Sequence, residues 1–151
     1  MKSRLISTIV AIGMATTGAA HMAADQPANP ILGIWRCEMH GLPAVTLTVT
    51  DEGGSLTGAV LFYLHKGTGQ AETATPGVPE PLFHPSFDGK TLTFEVSHRR
   101  AHPPQTLEDA PVRFEVKLDG MDPDGKGKAE LVMPDQNDPN APRFFLEKSP
   151  F

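Results

Sequence analysis

Apolar and polar residues alternate along most of the chain. Val45, Leu47 and Val49 alternate with threonines over residues 45–50, and Leu92, Phe94 and Val96 alternate with Thr93 and Glu95 over residues 91–97. Residues 111–118 repeat the pattern, with Val112, Phe114, Val116 and Leu118 set against Arg113, Glu115 and Lys117. A period of two puts one face of each segment against a core and the other in water, which predicts antiparallel strands. Residues 128–133 and 143–148 are shorter versions, and residues 56–65 are apolar on both faces, as a central or covered strand requires. Cys37 shares the parity of Trp35 and Met39 and is expected to face the core. No stretch has a convincing helical period.

The breaks between segments carry turn chemistry. Asp51-Glu52-Gly53-Gly54 joins two strands tightly and Asp88-Gly89 leads straight into a third, so neighbours in sequence should pair. A poorer strand over residues 81–87 contains Pro85, which makes it an edge or a bulge. The predicted fold is all-β: an antiparallel meander of seven or eight strands forming a small barrel or a strongly rolled sheet. Two long connections, residues 66–80 and 99–110, interrupt it.

The first residues have another character. Lys2 and Arg4 precede an apolar run over residues 5–14, followed by small residues to Ala20, which reads as a signal peptide (residues 1–20) cleaved after Ala20, with a site nearer Ala24 as the alternative. That run is too short to span a bilayer, and no later segment is apolar enough. A flexible leader, residues 21–30, then enters a single β-barrel-like domain, residues 31–151, which is expected to be periplasmic or secreted. The whole chain has 13 basic and 18 acidic residues, and loss of Lys2 and Arg4 leaves 11 basic groups and a net charge of about −7. Such a balance argues against a nucleic-acid partner. Cys37 is the only cysteine, so no internal disulfide forms.

Gly33-Ile34-Trp35, then Val49-Thr50 and Gly54-Ser55-Leu56-Thr57-Gly58, resemble the opening hairpin of calycin-type barrels, the lipocalin and avidin-like group. The resemblance implies a structural role for Gly33 and for Trp35, whose ring packs at the closed end of such barrels. Arg36, Cys37 and Glu38 replace the polar residues with which avidin-like proteins hold biotin, so biotin binding is not implied. There is no room for a helical lid between Met39 and Val45, and no helix follows the last strand. Across the whole chain the pattern is similar to small exported bacterial β domains, which stand alone or precede a hydrolase domain.

Candidate chemistry centres on His98-Arg99-Arg100-Ala101-His102, a cationic cluster in an acidic domain. If strand parity persists, His98 and Arg100 point inward at the barrel mouth, where with His102 they could orient a carboxylate, sulfate or phosphate. The competing reading is that they neutralise Glu108 and Asp109. Tyr63 and His65 end a strand before the first long connection and are expected at the same rim, with ordinary strand packing as the plainer alternative. His40 and His84 lie near turns. His98 and His102 have helical metal-ligand spacing, but Pro103 and Pro104 argue against a helix, and no metal or cofactor is expected. Residues 119–127 resemble part of a calcium loop but lack its first Asp and bidentate Glu, and read as a hairpin turn. Cys37 with a histidine, or Ser86 beside His84, are the only simple nucleophile arrangements, and neither sits in a recognised catalytic setting. The expectation is a non-catalytic module for an apolar or amphipathic small molecule, with anionic molecules among the candidates. The alternative is a structural or interaction protein that contacts an envelope or hydrolase partner.

Overall fold

Alternation becomes a sheet with one dry and one wet face. The computed structural model describes residues 29–97, 111–122, 126–134 and 143–149. Its strands are β1 (Gly33–Met39), β2 (Leu42–Glu52), β3 (Ser55–Lys66), β4 (Thr73–Pro76), β5 (Glu80–Pro81), β6 (Phe83–Phe87), β7 (Thr91–Val96), β8 (Val112–Met121), β9 (Gly127–Val132) and β10 (Phe144–Lys148). All pairings are antiparallel, in the order β4-β3-β2-β1-β10-β9-β8-β7-β6, and the sheet is curled into a half-barrel. Two short strands beyond the expected seven or eight account for the larger count. β4 forms inside the first long connection, and β5 is a two-residue piece separated from β6 only by Leu82.

β5 stitches the ends of the curl together. Ala59 and Val60 of β3 pair with Pro81 and Glu80, the Leu82 amide donates to the Gly58 carbonyl at 3.1 Å, and β6 pairs with β7. Gly58 is required there, because a Cβ would collide with the Thr48 carbonyl oxygen and lie 3.1 Å from Leu82 Cδ1. The register slips between Phe83 and Ser86, around Pro85, so the proline falls at an irregularity.

The dry face is built by the predicted parity. Trp35, Leu47, Val60, Leu92, Val116 and Leu131 are fully buried, each flanked by more exposed neighbours. Aromatic rings fill the half of the core toward the start of β8 and β10. Phe94 stacks on Phe114 at 5.5 Å between centroids, and Phe62 lies 5.6 Å from Phe114 and 6.4 Å from Phe144. Pairs at such separations add about 0.5–1.5 kcal/mol each beyond the area they bury. Trp35 packs near the other end, donating its indole N–H to the Ile31 carbonyl at 2.8 Å. Lys148 covers it there, with Nζ 5.6 Å from the ring centroid and 2.9 Å from the Pro30 carbonyl. Met39 departs from the pattern and is 40% exposed, because a bulge between Cys37 and Glu38 shifts the end of β1.

Turn chemistry is as read. The Gly54 amide donates to Asp51 Oδ1 at 2.6 Å in the β2–β3 turn. The β8–β9 pairing runs to Met121 and Gly127, with the Asp122 amide donating to the Lys126 carbonyl, so the ladder persists up to the expected turn, whose residues 123–125 lie outside the described residues. Among the described residues no helix is long and apolar enough to cross a membrane.

Candidate functional site

Three of the expected ligand-contacting residues, His98, Arg100 and His102, lie outside the described residues. The other two occupy the end of β3, beside β4, with Tyr63 opposite Pro76 and His65 opposite Ala74. Both have the parity opposite to that of Val60 and Phe62, whose side chains belong to the core. They therefore share the outer face of the sheet. His65 is engaged at both ring nitrogens: Nδ1 lies 2.9 Å from Glu72 Oε1, and Nε2 lies 2.9 Å from the Pro43 carbonyl. The second oxygen of Glu72 lies 2.9 Å from His40 Nδ1.

The hydrogen bond to Glu72 raises the His65 pKa above its usual 6.5, with the Pro43 carbonyl acting in the same direction and burial opposing it. Glu72 is held below its usual 4.5 by the hydrogen bonds from His65 and then His40.

A concavity of about 870 Å³ lies elsewhere, over the outer face of β1, β10, β9 and β8. Outward side chains from these strands form rows at the roughly 4.8 Å strand spacing. Arg36 stands opposite Glu147, and Glu147 opposite Lys128. In the next row Phe145 stands opposite Glu130, and Glu130 opposite Lys117. Glu130 pairs with Arg143 at 3.1 Å and Lys117 with Glu115 at 3.5 Å. Among the described residues Arg36, Glu38, Lys128 and Glu147 form no ion pair. Phe145, 68% exposed, offers an apolar surface amid these charges.

Sequence reasoning missed this groove. Its one signal was Phe145 itself, an aromatic on the polar parity of β10 beside Phe144 and Leu146. The Arg36 position was noticed only as a departure from biotin binders. Glu72 lies in a connection, where no local pattern announces its two histidine partners.

Among the described residues the nucleophile candidates are not assembled. Cys37 is 5% exposed and faces the core, and the His84 ring is turned toward Glu95, with Nδ1 3.4 Å from Oε2. Among the described residues no group of three or more His, Cys, Asp or Glu side chains is placed to hold a metal ion. Compared with family models, with curated proteins and with solved structures, the chain has no significant match.

Proposed function

We propose that this chain is an exported, non-catalytic binding module of calycin-like build that takes a small amphipathic molecule with an anionic group in the outer groove. The observation that carries the reading is Phe145, exposed beside Arg36 and Lys128, cations without an ion pair among the described residues, in a concavity of about 870 Å³. A volume of that size suits a small ligand. The phenyl ring supplies apolar contact, the two cations meet the anion, and Glu147 between them favours a ligand that also carries a positive group. The sequence motivates export through the basic and apolar character of residues 1–20.

Calorimetric titration of the processed chain with fatty acids, lysophospholipids and anionic aromatic molecules tests this. Binding that weakens at least about tenfold in Phe145→Ala and in the double variant Arg36→Glu, Lys128→Glu, and that weakens with salt, is the expected result. Binding by wild type and variants alike, or by none, overturns it. A second reading, an interaction protein without a small-molecule ligand, is favoured by the Phe62, Phe94, Phe114 and Phe144 cluster, which fills interior space that a calycin-like ligand would need.

A further inference from the structure

His65 has two hydrogen-bond partners, and both can only accept. A carboxylate oxygen and a backbone carbonyl carry no proton, so a ring that satisfies both must donate from Nδ1 and Nε2, which only the imidazolium does. The three groups come from separate parts of the chain. His65 is on β3, Glu72 follows the short 3-10 turn Gly69–Ala71, and Pro43 opens β2. His40, in the β1–β2 turn, holds the other oxygen of Glu72. The cluster is sheltered, with Glu72 only 10% and His65 18% exposed at the side chain, while His40 is 71% exposed.

We propose that His40, Glu72 and His65 form a pH-operated clasp that fastens the excursion of residues 67–76, including edge strand β4, to the β1–β2 turn. When His65 loses its proton, one nitrogen becomes an acceptor facing an acceptor, and the clasp opens. When Glu72 gains a proton, it loses the charge that both imidazoles address. Fastening is therefore strongest between these two titrations.

The surroundings leave the switch to these groups. β4 carries no charged residue, Lys66 has the opposite parity to His65 on β3, and Tyr63 is the titratable neighbour on the same face. On β1, Glu38 stands opposite Pro43 and forms no hydrogen bond or ion pair with the ring. Release would let β4 leave the end of the sheet and expose the backbone edge of β3 over Tyr63 to Lys66. An unfastened edge strand is a ready site for pairing with another chain, so the clasp would set the pH range in which this edge is available.

The directions of the shifts fix the expected window. The His65 contribution is complete below its ordinary 6.5 and is lost as pH rises through its higher value in the folded chain. The Glu72 contribution is complete above its ordinary 4.5 and is lost as pH falls through its lower folded value.

The experiment is a histidine-ring NMR titration of the full processed chain, combined with amide exchange corrected for intrinsic rates, from about pH 5 to 9. His65 should titrate above 6.5, and protection in the β3–β4 ladder should fall by up to about tenfold per pH unit across that titration, while the β8–β9 ladder keeps its protection. Glu72→Gln should return His65 to its ordinary range and remove the pH dependence of β4. A wild-type His65 that titrates at or below 6.5 overturns the proposal without needing the variant. So does β4 protection that is flat with pH, or that changes only in step with β8–β9. The groove on β1, β10, β9 and β8 has no part in this test.

Discussion

Gly127 is the surface against which the Trp35 indole rests. A Cβ at residue 127 would stand 2.8 Å from Trp35 Cη2 and 3.2 Å from Cζ3, and would also collide with Met121 Sδ. The thioether can swing aside, but the indole cannot easily follow, because its N–H is fixed to the Ile31 carbonyl and Lys148 covers the ring. Gly127→Ala should therefore destabilise the chain by about 1–3 kcal/mol, as overpacking does. Trp35→Phe should cost about as much for a different reason, since it leaves the buried Ile31 carbonyl without its donor. A phenyl ring lacks the six-membered indole atoms nearest residue 127, so the double variant should lose less than the two single losses together. Urea unfolding followed by circular dichroism across the four proteins measures that coupling, and strict additivity would count against the contact.

How far this arrangement was legible follows from the range of each interaction. Alternation around Leu92, Phe94 and Val96 marks β7 because parity is local, and Asp51 and Asp88 mark turns because their side chains bond amides two or three residues on. The burial of Trp35 was legible through the parity it shares with Cys37. The register pairing that sets Arg36 beside Glu147 is not local, and neither is the contact of Glu72 with His40, 32 residues away. β5 was hidden for a further reason. A strand of two residues containing a proline has no periodicity to display, and only the closing of the curl against β3 makes it one.

Asp88 offers a pH dependence of opposite sign to that of His65. Its Oδ1 accepts from the Lys90 amide at 2.8 Å and the Thr91 amide at 2.7 Å, fixing the turn between β6 and β7. The bonds from Thr91 and then Lys90 hold the carboxyl below its usual 3.8. A depressed carboxylate contributes fully above that ordinary value, and its contribution is lost as pH falls through the lower folded one. Asp88→Ala should thus have a lower urea midpoint than wild type near about pH 6, with the gap narrowing in acid. Asp88→Asn retains an acceptor and should fall between the two, without the acid-dependent part. A gap between wild type and Asp88→Ala that stays constant into strong acid would contradict this account of the turn.

Cys37 tests whether the core face is sealed on β1. The thiol is 5% exposed. Burial pushes its pKa above 9.0, the Glu38 charge adds to the rise, and a backbone hydrogen bond from Phe145 offsets part of it. Reactivity needs both the thiolate and access, and this position withholds both. A thiol reagent at about pH 8 should label the native chain only as fast as it opens and the urea-unfolded chain at once, and storage in air should yield no disulfide dimer. Substitution should follow polarity more than size. Cys37→Ala loses a small apolar contact, whereas Cys37→Ser places a hydroxyl among Trp35, Val45 and their neighbours, so serine should destabilise more than alanine despite its closer shape. Immediate stoichiometric labelling of the native chain, or a serine variant as stable as wild type, would place Cys37 in water instead of the core.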